Sequence, residues 1–192
     1  NSNYQYKALE KFKDVTFDGV SISSCGVENA CYEKLIIDNI LKKEVCSVLI
    51  EYFENNKEHI RHWHGTEVLD MKGAEKKFLS KLQFIYTSYL NSKGLIICPE
   101  LTQIVKWPIG TLKEPHLDTC RDTTKLTSIT YLNNDYQGGK TCLDNGIEVL
   151  PKIGQTVFFD GMAHKHWVTQ VQQKPRYTLA IWYTDNIDLI YT

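Results

Sequence analysis

The chain has 192 residues, 42% hydrophobic and 23% charged, a globular composition that excludes a disordered, collagen-like or coiled-coil protein. Its 22 basic and 23 acidic residues leave a formal net charge of -1, which offers no electrostatic footprint for duplex nucleic acid, so no nucleic-acid partner is expected. Apolar runs such as Leu95–Cys98 and Val48–Ile50 fall far short of the ~20 residues of a membrane span, so no membrane association is expected.

In chain order, residues 1–14 are polar and mixed in charge and read as a loose arm, and Val15–Ser21 alternates weakly as a first strand. Lys34–Ile37 is largely apolar before Asp38-Asn39 interrupts it. Leu41, Val45, Leu49, Tyr52 and Phe53 then recur every three or four residues, the stripe of a helix lying on a core. Phe78, Leu82, Ile85 and Tyr89, widened by Leu79, Tyr86 and Leu90, predict a second helix that Lys93-Gly94 terminates. Beyond Gly94 the segments 100–107, 126–132, 140–143, 147–149, 156–160, 167–171 and 177–184 are short and rich in Ile, Val, Thr, Tyr and Trp. Turn residues separate them, among them Asn133-Asn134-Asp135, Gly138-Gly139 and Asp144-Asn145-Gly146. Short antiparallel strands predict a sandwich or barrel, and helices that precede them pack on one outer face of a sheet. The expectation is a single α+β domain: an arm and first strand over 1–32, helical support over 33–94, and the chemistry in the strand-rich 95–192.

Six cysteines, none spaced C-x2-C, read as free and mostly buried thiols, which favours a reducing, cytoplasmic setting over the ER lumen. Cys25 and Cys31 are the nearest pair if a disulfide forms. Only Arg61, Arg121 and Arg176 are arginine, so each raises the question of what its planar fork serves.

The most informative stretch is Glu114-Pro115-His116-Leu117-Asp118. Two apart on an extended segment, His116 and Asp118 share a face, and an imidazole with a carboxylate suits Fe(II), Mn(II) or Zn(II). Alone, the pair also fits an ordinary surface histidine beside an aspartate. His166, 50 residues later, completes a two-histidine, one-carboxylate face, and Arg176 stands ten residues beyond it on an alternating strand. An arginine inside a barrel mouth needs an anion, and a carboxylate fits its fork. His164 is a rival for the third ligand, but only His166 has Val168 and Val171 at +2 and +5.

Four pieces in order resemble the Fe(II)/2-oxoglutarate-dependent dioxygenases, in their prolyl 4-hydroxylase-like branch. They are the E-P-H-x-D segment 114–118; Tyr131-Leu132-Asn133 leading to Tyr136-Gln137-Gly138-Gly139-Lys140-Thr141; Pro151 to Phe159; and His166-x-Val168-x-x-Val171 with Arg176-Tyr177 and Trp182. The resemblance covers about 100–184 and, more weakly, Lys34–Cys46. It implies a double-stranded β-helix, or jelly roll, with His116, Asp118 and His166 as iron ligands. It implies that Arg176 binds the distal carboxylate of 2-oxoglutarate with the Tyr131 hydroxyl on the same group. Thr141 and Trp182 would line that pocket, and Trp107 would stand near the iron. The implied reaction takes O2 and 2-oxoglutarate to succinate and CO2 while a substrate C–H is hydroxylated, with ascorbate as a candidate auxiliary reductant. The favoured substrate is a proline in a protein or peptide. A lysine, a free amino acid or another small substrate are alternatives, and so is a non-catalytic jelly-roll binding module. The family's glycine before the arginine is Lys174 here, followed by Pro175. His59, His62 and His64, with Trp63 between, read as an exposed or substrate-rim loop, and residues 60–73 and 119–125 as the loops free to cover the barrel mouth.

Overall fold

The computed structural model describes residues 35–119, 121–186 and 188. The arm, the strand read at Val15–Ser21 and the Cys25–Cys31 pair lie outside these residues. The chain runs β1 (Ile36–Asn39), α1 (Lys43–Asn55), β2 (Arg61–Trp63), β3 (Thr66–Asp70), α2 (Lys76–Ser92), β4 (Cys98–Trp107), β5 (Lys113–His116), β6 (Thr124–Tyr131), β7 (Gln137–Gly138) and β8 (Thr141–Leu143). It continues through β9 (Glu148–Val149), β10 (Gln155–Phe159), β11 (His166–Val168), β12 (Val171–Gln172) and β13 (Arg176–Thr184). A seven-stranded sheet, in the order β1-β10-β6-β13-β4-β3-β2, packs against a four-stranded sheet, β5-β11-β8-β9, and β12 pairs with β7. This is an α+β fold of the sandwich kind that the short strands predict, in the jelly-roll form that the resemblance implies.

Alternation along the strands sorts the large sheet into two faces. Ile104, Leu126, Phe158, Leu179, Ile181 and Tyr183 turn outward and bury against α1 and α2, meeting Val45, Leu49, Tyr52, Phe53, Phe78, Leu82 and Tyr86 in one core. Hydroxyls inside that layer pair with each other: Tyr86 with Thr130 at 2.6 Å, and Tyr183 with Ser128 at 2.8 Å. The opposite face looks into the roll. There Tyr131, Val157 and Phe159 pack on Leu143 and Val149 of the small sheet. Helix α2 ends where the sequence predicts, with Gly94 at φ +77°. Among the described residues, no helix is long and apolar enough to cross a membrane.

Two readings need correction. Asp38 and Asn39 do not interrupt the apolar stretch: they belong to β1, paired with Thr156 and Gln155 of β10. Residues 61–70 are a β-hairpin rather than a loop, and it extends the large sheet through β3 and β4. Its two-residue turn, His64-Gly65, holds both residues at positive φ, +46° and +82°, the geometry that matches strand twist in tight hairpins. No apolar alternation marks β2, because all three of its residues are exposed.

Glu54 ties the helix layer to the sheet. Its carboxylate accepts from Lys106 Nζ at 2.9 Å and Tyr177 Oη at 2.6 Å, and pairs with Lys57. Burial by itself raises this carboxyl, but the three donors outweigh it and hold the pKa down at about 2. A depressed carboxyl stabilises the fold above its unfolded value and loses that contribution as the pH falls through its folded value. Glu54→Gln is therefore expected to cost about 1–2 kcal/mol at neutral pH. The gap from wild type should close as the pH falls from ~5 towards ~2. Denaturant unfolding at several pH values measures this, and a pH-independent gap would reassign the effect to packing.

Candidate active site

His116 ends β5 and His166 begins β11, and the two are direct partners across the antiparallel pair, with ring centroids 4.3 Å apart. Asp118 lies two residues past His116, where its backbone N–H donates to the Gly161 carbonyl at 2.8 Å. The ligand atoms of His116, Asp118 and His166 all lie within 4.8 Å of one another. Asp118 Oδ1 is 3.4 Å from His166 Nε2 and 3.9 Å from His116 Nε2.

The surroundings fix how these groups present themselves. His116 Nδ1 lies 2.8 Å from the Glu114 carbonyl, and His166 Nδ1 lies 3.1 Å from the His164 carbonyl. A carbonyl only accepts, so each Nδ1 carries the hydrogen and each Nε2 keeps its lone pair for the shared centre. Burial, the largest cause, lowers the His116 pKa, and this favours its neutral ligand form. For Asp118 burial works to raise the pKa. His166 beside it and the hydrogen bonds from Thr127 (2.8 Å) and Trp182 Nε1 (3.1 Å) outweigh that, so the carboxyl is held low and ionised. Two imidazoles and one carboxylate gathered in this way fit a divalent transition metal such as Fe(II).

Gly161 is part of this construction. A Cβ there would stand 2.3 Å from Asp118 Oδ2 and 3.0 Å from Thr127 Oγ1, so a larger residue would displace the carboxylate. Nothing in the spacing of the sequence singles out Gly161. Thr127 was legible in principle, since it shares the inward face of β6 with Tyr131.

The rival histidine, His164, points elsewhere. Its Nδ1 is 3.1 Å from Asp144 Oδ1, and its carbonyl holds the His166 ring. His59, His62 and His64 form no metal cluster among the described residues; the one such group is the triad.

Arg176, at the start of β13, is 1% exposed. Its guanidinium lies 4.7 Å from the Trp107 ring centroid and 5.4 Å from that of Tyr131. Nη2 donates to Thr141 Oγ1 at 3.2 Å, while Nε and Nη1 are buried with no partner among the described residues. A buried cation with two unsatisfied donors and no carboxylate beside it fits an anionic ligand such as 2-oxoglutarate. The departure at Lys174-Pro175 is absorbed locally. Gln173 takes φ +69°, and Asn133 clasps the turn by donating to the Pro175 carbonyl and accepting from Tyr177 N–H, at 2.8 and 2.7 Å.

Three of the side chains named from the resemblance also have partners within the protein. The Tyr131 hydroxyl is engaged within the protein: its single hydrogen faces Thr141 Oγ1 at 2.7 Å and the Val149 carbonyl at 3.1 Å, and its oxygen accepts from Thr141 N–H at 3.0 Å. The Trp182 indole orients Asp118 through its N–H. The Trp107 ring is set over Arg176.

A jelly roll that gathers two imidazoles and a carboxylate at one point has the donor set of the non-haem iron oxygenases. Residues 102–184 match the 2OG-Fe(II) oxygenase superfamily. The matched stretch holds His116, Asp118, His166 and Arg176, and the fold is prolyl 4-hydroxylase-like.

Solved structures share the fold. A viral collagen prolyl hydroxylase from Paramecium Bursaria Chlorella virus-1, in its 2OG complex, is 21% identical with a TM-score of 0.65, over 83% of this chain and 98% of that one. A Pseudomonas putida prolyl-4-hydroxylase is 16% identical with a TM-score of 0.65, over 81% and 94%. A Trichoplax adhaerens prolyl hydroxylase in complex with a hypoxia inducible factor oxygen degradation domain peptide fragment is 17% identical with a TM-score of 0.66, over 84% and 88%. No curated protein sequence matches the chain.

Proposed function

We propose that this enzyme hydroxylates a proline residue within a protein or peptide, releasing succinate and CO2. His116, Asp118 and His166 hold the Fe(II). Arg176 takes the distal carboxylate of 2-oxoglutarate, with Thr141 lining the same pocket. The observation that carries the reading is the pairing of an intact two-imidazole, one-carboxylate cluster with a buried arginine that lacks an anion. A domain that merely binds has no use for both.

When bound, Fe(II) with 2-oxoglutarate and O2 supplies the oxidising chemistry, and the protein's part is binding, orientation and exclusion of water. The carbonyls of Glu114 and His164 keep both Nε2 atoms aimed at one point. Thr127 and Trp182 hold Oδ2 of Asp118, which leaves Oδ1 towards the histidines. Arg176 anchors the far end of the keto acid, so its reacting end is oriented before any substrate arrives.

Support for a peptide comes from the rim. The hairpin tip at Gly65 packs on Thr111, and Trp63, Ile109 and Leu112 stay exposed around it. The 108–112 loop joins the strand end bearing Trp107 to the strand bearing His116. An extended chain laid across this rim buries apolar surface and reaches the site. Support for proline comes from the fold's closeness to prolyl hydroxylases, one of them solved with a peptide.

The test is succinate release over a panel of proline-rich and lysine-containing peptides, free amino acids and nucleobases, with mass spectrometry of the products. Proline peptides are expected to raise turnover above the uncoupled rate and to gain one oxygen on proline. Oxygen on lysine, a free amino acid or a base, with proline peptides inert, would sink the proline assignment and leave the oxygenase intact.

A further inference from the structure

The inner face of the large sheet carries an apolar layer from β13 across β4 to the β2–β3 hairpin. Ala180, Val105 and Val68 pack together there, with Trp182 and Trp107 against them. An amide is set into this layer. Gln103 pairs with Ala180 of β13 on one side and with Asp70 of β3 on the other, so it shares the inward face with Val105 while Ile104 between them turns to the helices. Gln103 is 6% exposed, and its side-chain amide has no hydrogen-bond partner among the described residues.

Its position sets it apart from the Arg176 pocket. Arg176 pairs with Trp107 at the far end of β4, four residues from Gln103, or about 13 Å of extended strand. Trp182, whose indole N–H holds Asp118, is the next inward residue of β13 after Ala180. On the other side, Val68 of β3 pairs with Arg61 of the exposed strand β2. Gln103 thus lies between the hairpin at the rim and the residues that hold the carboxylate of the triad.

An amide left unpaired in an apolar wall costs folding free energy, and a ligand that brings both a donor and an acceptor removes that cost. The glutamine amide offers N–H donors and a carbonyl acceptor side by side. In an extended peptide, the N–H and C=O of one residue point to the same side and match that pair, as between antiparallel strands. Proline has no N–H, so the matching residue is a neighbour of the target proline.

We propose that Gln103 is a substrate-binding residue whose side-chain amide takes the backbone N–H and C=O of a residue flanking the target proline. This rests on the peptide substrate proposed above.

The experiment uses a proline-rich peptide from the panel that gains oxygen on proline, with two analogues. Each analogue carries an α-hydroxy acid in place of the residue before or after that proline, so an ester replaces one backbone N–H. Gln103→Leu keeps the size of the side chain and removes both hydrogen bonds. It is expected to raise the KM for the parent peptide about tenfold. In wild type one of the two analogues should show a KM raised about fivefold, and in Gln103→Leu that analogue and the parent should become equal. The Kd for 2-oxoglutarate, measured by calorimetry on Mn(II)-loaded protein without O2, should stay at the wild-type value. The ligand-free variant should melt at the wild-type temperature or above, since it loses a buried unpaired amide.

An unchanged KM for the parent peptide in Gln103→Leu overturns the Gln103 role and leaves the peptide reading standing. A raised KM that is equally sensitive to the esters in variant and wild type also overturns it. So does a weakened 2-oxoglutarate Kd or a lower melting temperature, which would assign Gln103 to the co-substrate site or to the core. If no peptide in the panel gains oxygen, the peptide reading fails and the inference fails with it.

Discussion

Asp118→Ala is expected to lose most of its bound Fe(II) and all measurable turnover. The substitution leaves two neutral imidazoles at the centre and removes the site's only anion, which attracts the dication and holds the angle between the histidine ligands. Loss of a supporting outer residue already weakens metal sites roughly 10–100-fold, and loss of a direct ligand should exceed that. Thr127 and Trp182 also lose their acceptor, so the metal-free variant should melt somewhat lower than wild type. Metal content after reconstitution, with an anaerobic Mn(II) titration, measures the effect. Full occupancy in the variant would show that the three residues do not form the iron site. An anomalous-scattering peak at His164 in place of His166 would correct the third ligand.

Removal of the Arg176 side chain should act on the co-substrate and spare the metal. Arg176→Ala leaves a desolvated carboxylate without its cation, a loss of about 2–5 kcal/mol by analogy with truncated buried charge pairs. That corresponds to a rise of roughly 30-fold or more in the KM for 2-oxoglutarate. Arg176→Lys keeps the charge and loses the fork, so it should fall between the two. A second signature separates binding from folding. The ligand-free protein carries a buried guanidinium with two unsatisfied donors, so the alanine variant should melt near the wild-type temperature. Wild type should gain thermal stability on adding 2-oxoglutarate, and the alanine variant should gain almost none. An unchanged KM would falsify the clamp.

The two substitutions also partition the site. His116, Asp118 and His166 join β5, the segment after it, and β11, while Arg176 sits on β13 in the facing sheet. On the proposed roles, the metal ligands and the arginine that takes the co-substrate thus lie on different sheets, and each function should be removable without the other.

Much of this arrangement is local and therefore legible in the sequence. The stripes at 41–53 and 78–90 become α1 and α2 because three-and-four spacing leaves one apolar face for the sheet to cover. Gly94 stops α2 because its backbone alone enters the left-handed region without strain. His116 and Asp118 stand close because two residues of extended chain return a side chain to the same face. Arg176 reads as special because a fork that is rare in this chain stands on a strand whose neighbours alternate into a core.

Other features arise only when distant segments meet. The β2–β3 hairpin carries no apolar signature, since its outer strand is wholly exposed and its pairing partner is β4, more than 30 residues on. Gly161 matters only because folding brings its backbone against Asp118. The partners of a buried hydroxyl or guanidinium are likewise absent from the local sequence. The Tyr131 hydroxyl meets Thr141 and Val149, and Arg176 meets Trp107 and Thr141, because each takes its partners from strands apart from its own. Spacing along the chain pointed to both helices, to most strands of the roll and to the candidate triad and arginine. Which hydrogen-bond donors remain unsatisfied is a property of the packed interior, and only the tertiary structure decided it.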